Sequence, residues 1–118
     1  MKTFSNVAFQ GDVSIIRASQ VGVKSLPKNA QEIKPEKNGR LIVTHSETGH
    51  HHFVQKSEAR FYGTDDPNIC YLVVEGKYAD LVHDRQTQQH ETLRIPNGLY
   101  QINRQVEKRP EGWRRVED

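Results

Sequence analysis

The apolar residues of this chain occur in short runs of strand length, separated by clusters of turn residues. The clearest runs are 40–46 (Arg-Leu-Ile-Val-Thr-His-Ser) and 69–75 (Ile-Cys-Tyr-Leu-Val-Val-Glu), and both are rich in residues that favour strands. No segment sustains the 3.6-residue apolar period of an amphipathic helix. Many short strands in one small domain hide their edges best in a barrel or a sandwich. The pattern therefore predicts an all-β fold, a small barrel or sandwich.

The length of 118 residues suits one domain, so we expect residues 1–118 to form a single β domain. Residues 19–39 combine glycine, proline, lysine and asparagine, which predicts one long, extended polar loop. Residues 107–118 form a basic C-terminal tail around Trp113. The arginines of this tail could contact phosphates and Trp113 could stack on bases, but acidic residues dilute its charge, so we favour an exposed terminal segment over a nucleic-acid partner.

Composition also narrows the function classes. No apolar run reaches the roughly 18 residues of a membrane helix, so we expect no membrane partner. The N-terminus lacks the apolar stretch of a secretory signal, which favours a cytoplasmic location. The single cysteine, Cys70, excludes an intrachain disulfide and lies in an apolar strand, where an inert core thiol is expected. Hydrophobic residues make up only 34% of the chain, and this lean core favours a homo-oligomer or a protein partner.

The six histidines fall into two short segments, residues 44–52 and 83–90. Positions two apart on a strand share a face, so His50 and His52 can reach one ion together. A hairpin closing over the polar residues 84–89 would bring His83 close to His90. Because imidazole is the commonest protein ligand of transition metals, the pattern predicts a divalent metal site for Zn, Fe, Mn or Ni. The expected ligands are His50, His52 and His90, followed by His83.

Two points stay open at this stage. The His50 and His52 pair shares a face with Val54, whereas His51 shares the other face with Phe53, and the sequence does not say which face covers the core. The metal itself is also open, because histidines at hairpin ends are commonly exposed residues without a ligand. Further acidic candidates and a fifth histidine are Glu47, Glu58, Asp84, Glu91 and His45.

The segment from His50 onward resembles part of the cupin pattern. In cupins, a His-x-His pair is followed by a glutamate and a glycine, and a later Pro-x-Gly turn precedes a further histidine. The corresponding residues are His50-His51-His52, Glu58, Gly63 and Pro96-Asn97-Gly98, with Gln101 where the last histidine would stand. The resemblance implies a cupin-like barrel.

A second resemblance covers most of the chain. The strings Thr48-Gly49-His50-His51-His52, His90 and Pro96-Asn97-Gly98-Leu99-Tyr100 are similar to a pattern in short uncharacterised bacterial and phage proteins. Those proteins share Thr-Gly-His-x-His, a later histidine and Pro-x-Gly-x-Tyr. The resemblance implies that His50, His52 and His90 belong to one site, and it implies no particular activity.

Two hypotheses follow. The first is a small β protein that binds one divalent metal, either for catalysis at an open metal position or as a structural element. The second is a non-enzymatic interaction or self-assembling module, of phage type, that works without metal.

Overall fold

The computed structural model describes residues 2–3, 6–10, 13–37, 39–44, 52–55, 59–83, 90–104, 106–109 and 112–115. Eleven strands are present among these residues. They are β1 (Lys2–Thr3), β2 (Val7–Gln10), β3 (Val13–Arg17), β4 (Gln31–Ile33), β5 (Arg40–Thr44), β6 (His52–Gln55), β7 (Ala59–Gly63), β8 (Ile69–His83), β9 (His90–Asn103), β10 (Val106–Arg109) and β11 (Gly112–Arg115). One 3₁₀ turn spans Ala18–Val21. The prediction of an all-β fold is confirmed.

The long strands β8 and β9 form the spine of the molecule. They pair antiparallel from Ile69 and Asn103 at one end to His83 and His90 at the other. Two groups of shorter strands flank this spine at its two ends. We call them the base half, built on residues 69–74 and 98–103, and the loop half, built on 78–83 and 90–96.

Each half of the spine carries its own set of neighbours. In the base half, β3 pairs with β9 and β2 pairs with β3, while β7 pairs with β8 and β4 pairs with β7. In the loop half, β1 pairs in parallel with β9, while β6 pairs with β8 and β5 pairs with β6. Together these nine strands make one sheet, and β10 and β11 form a separate two-stranded hairpin.

A large bulge separates the two halves of the spine. Val74 pairs with Gly98 and Tyr78 with Pro96, so three residues of β8 lie opposite Asn97 alone. The Asn97 amide donates hydrogen bonds to the carbonyls of Glu75 and Gly76 at 3.1 and 3.0 Å, which replaces the ladder bonds that the bulge interrupts.

The backbone of β9 is adapted to the same bend. Gly98 has a φ of 148°, which a residue with a side chain rarely adopts. The buried Tyr100 hydroxyl donates a hydrogen bond to the Pro96 carbonyl at 2.5 Å. This hydrogen bond joins the residues on either side of Gly98 and so fixes the bend of β9.

The bend changes which residues of the spine face the core. In the base half, the most deeply buried positions of β8 are Cys70, Leu72 and Val74, at no more than 1% exposed, whereas in the loop half the buried positions are Ala79 and Leu81. Buried residues of both halves belong to a single cluster. The sheet therefore encloses one core with the inner faces of its two halves.

Two sequence predictions of turns are wrong. Glycine, proline and asparagine are typical of turns, so the sequence predicts strand ends at Gly76-Lys77 and at Pro96-Asn97-Gly98, but both segments lie inside the continuous strands β8 and β9. Extra residues opposite Asn97 let the chain bend without reversing, so turn-type residues serve a bulge here.

The segments expected to be irregular contain short elements. Residues 19–39 include part of the 3₁₀ turn and β4, which pairs with β7. In the tail, β10 and β11 form an antiparallel hairpin in which Lys108 pairs with Trp113. None of the helices among the described residues has the length and apolar character needed to cross a membrane.

Candidate functional site

Three histidines occupy directly opposed positions on three neighbouring strands of the loop half. His52 of β6 pairs with His83 of β8, and His83 pairs on its other side with His90 of β9. Directly opposed residues of antiparallel strands have Cα atoms about 4.5–5.5 Å apart. The backbone register therefore aligns three of the four predicted ligands in one row, which we call the histidine row.

The histidine row continues a row of buried core residues. Val54, Leu81 and Leu93 oppose one another on the same three strands, and their side chains are at most 3% exposed. Because residues two apart share a face, strand positions 52 and 83 lie on the core-side face. The sequence left open which face of β6 covers the core. It is the face that position 52 shares with the buried Val54.

The position of His90 depends on a bulge. Between the pairs Leu81–Leu93 and His83–His90, β8 advances by two residues and β9 by three. A residue two places from Leu93 would be Glu91, so simple alternation would put His90 on the opposite face. The extra residue of the bulge restores position 90 to the row.

A second bulge lies on β5, beside the row. Ile42 pairs with Phe53 and Thr44 with His52, which leaves Val43 as the extra residue. The Val43 carbonyl accepts a hydrogen bond from Nη1 of Arg104 at 2.6 Å. The Arg104 Nε also donates to the Pro67 carbonyl at 2.9 Å, so one guanidinium ties the bulge to the start of β8.

Asp80, an acidic residue of the loop half whose side chain the structure describes, is already held in an ion pair. Asp80 accepts two hydrogen bonds from Arg94, at 3.0 and 3.1 Å, and the Arg94 guanidinium lies 3.6 Å from the centroid of the Tyr78 ring. The hydrogen bond to Asp80 raises the pKa of Arg94, although burial opposes this. Position 80 alternates with the buried Leu81, so this ion pair lies on the outer face, away from the histidine row.

Other predicted site residues fall outside the described part of the chain. These are His45, Glu47, His50, Glu58 and Asp84, and the neighbouring His51 lies outside it as well. Among the side chains that the structure describes, no group of three or more His, Cys, Asp or Glu residues could hold a metal ion. His52, His83 and His90 are placed by backbone register alone.

Sequence reasoning missed an open cavity of about 340 Å³ in the base half. It is lined by Arg17, Ala18, Ser19, Val23, Lys24 and Leu99. Arg17 and Lys24 are seven positions apart in the region of the 3₁₀ turn, and no motif in the sequence links them to Leu99.

One comparison places the chain in a family. Residues 9–105 match the model of a domain of unknown function, DUF8820. The chain belongs to the DUF8820 family. All six histidines lie inside the matched DUF8820 region, whereas β10 and β11 both lie beyond it. The search of curated proteins and the search of solved structures each found no match. The family agrees with the expected resemblance to uncharacterised proteins, while the specific histidine motif and the cupin resemblance stay predictions.

Proposed function

We propose that this DUF8820 domain binds one divalent transition metal through His52, His83 and His90, with His50 as a further ligand. The observation that supports the proposal is the register of three adjacent strands, which aligns the first three positions. Histidines from segments distant in sequence meet in one row only because β6 pairs with β8 and because β9 carries a bulge. Histidines scattered by chance would not require this strand pairing or this bulge.

The spacing of the row suits a shared ion. Neighbouring strands lie about 4.8 Å apart, whereas nitrogens around a tetrahedral zinc at about 2.0–2.1 Å lie roughly 3.4 Å from one another. The two outer strands of the row are about 9.6 Å apart, so each outer imidazole nitrogen would have to lie roughly 3 Å nearer to the middle, with the central nitrogen off the line between them. Since the row continues the core side of a sheet that bends around its core, its side chains would converge as they leave the backbone.

The number of ligands separates two roles for the metal. Three imidazoles would leave one tetrahedral position open for water or a small molecule, as in catalytic zinc sites. If His50 fills the fourth position, the site is closed and structural. A His50→Ala variant that keeps the metal but gains an exchangeable ligand would favour the structural role in the native chain.

Metal content of the protein purified without an affinity tag tests the proposal. We expect one equivalent of metal per chain by elemental analysis, and calorimetric zinc titration of the stripped protein with the same stoichiometry. His83→Ala removes the central ligand, and we expect it to weaken zinc binding by more than about 100-fold, since loss of groups that only orient a ligand costs 10–100-fold.

His51→Ala is the matched control, because position 51 alternates with His52 in the sequence and is no proposed ligand. The control variant is expected to retain wild-type affinity. Equal zinc affinity in the wild type and in His83→Ala, or equal losses in His83→Ala and His51→Ala, would disprove the shared site.

A further inference from the structure

Strand β2 forms an outer edge of the sheet with an unusual surface. It pairs with β3 on one side and ends the strand order of the base half among the described residues. Val7 and Phe9 are 50% and 71% exposed, whereas Ala8 between them packs against the core. The outward face of this edge is therefore apolar and aromatic.

Other edge strands carry features that prevent pairing with another chain. Strand β4 contains Glu32, which forms ion pairs with Lys34 at 3.3 Å and Arg60 at 3.9 Å, and Pro35 follows it. On β5, the Arg40 carbonyl accepts a hydrogen bond from the Glu36 amide at 2.8 Å. Charges, proline and covering backbone are the usual protections of sheet edges.

Within the part of the chain that the structure describes, strand β2 has none of these protections. Its sequence, Val-Ala-Phe-Gln, contains no charged residue and no proline. From this contrast, we propose that β2 pairs antiparallel with β2 of a second copy of this chain and so joins two sheets across a twofold axis.

The residues of β2 are complementary to themselves in such a pairing. A twofold axis through the pair of Ala8 residues would set Val7 of each chain opposite Phe9 of the other. Aromatic residues opposite β-branched residues are favourable cross-strand pairs. Because the strand is uncharged, two copies meet without repulsion between like charges. A second copy is therefore a better occupant than a charged peptide.

Sedimentation of the full chain over a range of concentrations tests the pairing. We expect a reversible dimer, and we expect Phe9→Lys to weaken it at least tenfold by placing an ammonium group opposite an apolar residue. Ile33→Lys is the matched control, because Ile33 is also an exposed apolar residue of an edge strand, at 37%. It is expected to leave the dimer intact.

All samples are compared with and without a chelator, so that association through a metal is recognised and the two proposals fail separately. A chain that is monomeric at every concentration, a dimer that needs metal, or a dimer unchanged by Phe9→Lys would overturn the β2 pairing.

Cross-linking reports the register directly and does not depend on the folding of the lysine variant. Directly opposed Cα atoms lie within the range that a disulfide spans. A mixture of Val7→Cys and Phe9→Cys chains is expected to form mixed disulfide dimers on mild oxidation. Phe9→Cys alone is expected to cross-link much less, since its two copies lie diagonally. Equal yields from the mixture and from Phe9→Cys alone would contradict the proposed register.

Discussion

Arg104 joins three parts of the chain, and we expect its replacement to be strongly destabilising. Its guanidinium donates to the carbonyls of Val43 and Pro67 at 2.6 and 2.9 Å and lies 5.9 Å from the centroid of the Phe61 ring. Its backbone amide also donates to Asn68 at 2.9 Å, a bond that survives substitution. Arg104→Ala would therefore remove the two side-chain hydrogen bonds and leave two carbonyls without that donor.

The size of the effect follows from these two bonds. Hydrogen bonds that involve a charged group contribute about 1.5–3 kcal/mol each. Arg104 is half-buried, so we take the lower value for both and expect a loss of about 3 kcal/mol in the free energy of unfolding. An unfolding entropy of about 2.1 cal/mol/K per residue over 118 residues converts this loss into a fall in Tm of roughly 12 °C.

Thermal unfolding followed by circular dichroism measures the shift. Arg104→Lys keeps the charge, but its single ammonium group cannot donate to both carbonyls as the guanidinium does. Its Tm is therefore expected to lie between those of the wild type and Arg104→Ala. Arg60→Ala is the control, because Arg60 is exposed and its ion pairs are with exposed or partly exposed carboxylates. We expect it to leave Tm almost unchanged. A fall below about 3 °C in Arg104→Ala, or an equal fall in Arg60→Ala, would refute the reasoning.

Three further predictions concern the spine. Burial raises the pKa of Tyr100, although Arg17 opposes this. The protonated hydroxyl therefore stabilises the fold below about pH 10, and this contribution is lost as the pH rises through the raised pKa. Tyr100→Phe is expected to cost about 1–2 kcal/mol at pH 7, and the gap in denaturant midpoint between the two proteins is expected to narrow above pH 10; a constant gap would contradict this. Gly98→Ala is expected to lower stability by more than about 1 kcal/mol, because a Cβ at this positive φ would lie 3.0 Å from the Arg17 guanidinium; unchanged urea unfolding would argue against the strain. Burial raises the pKa of the Cys70 thiol, so we expect thiol reagents to label it only at the rate of unfolding, and fast labelling of the native protein would show that the thiol is accessible.

The sequence predicted the strand-rich fold better than it predicted the strand ends. Runs such as 40–46 and 69–75 have the β-branched character of strands, and most of their residues lie in β5 and β8. Gly76 and Gly98 indicated turns because glycine is common in both turns and bulges. Only the pairing of β8 with β9 distinguishes the two, and that pairing is a tertiary property.

Two short strands gave no usable signal. Strand β4 has three exposed residues, so no alternation between apolar and polar residues marks it. Strand β2 has four residues, which is too short for a periodic pattern. Both are strands because a neighbouring strand offers hydrogen bonds, which no local pattern records.

The histidine row shows the same limit at the candidate site. The approach of His83 and His90 could be predicted, because only the six polar residues 84–89 separate them in the sequence. The alignment of His52 with His83 depends on β6 pairing with a strand about thirty positions away, and the face of His90 depends on a bulge. Neither feature leaves a local mark in the sequence, so the ligand types could be predicted while their arrangement could not.

The pairing of β3 with β9 has a consequence for the order in which the chain folds. Ser14 and Asn103 lie side by side in the sheet, although they are separated by most of the polypeptide. During synthesis, β3 can pair with β2 early, but its second neighbour, β9, becomes available only after nearly the whole chain has left the ribosome. We expect slow acquisition of native structure and a period in which chaperones can bind the early strands.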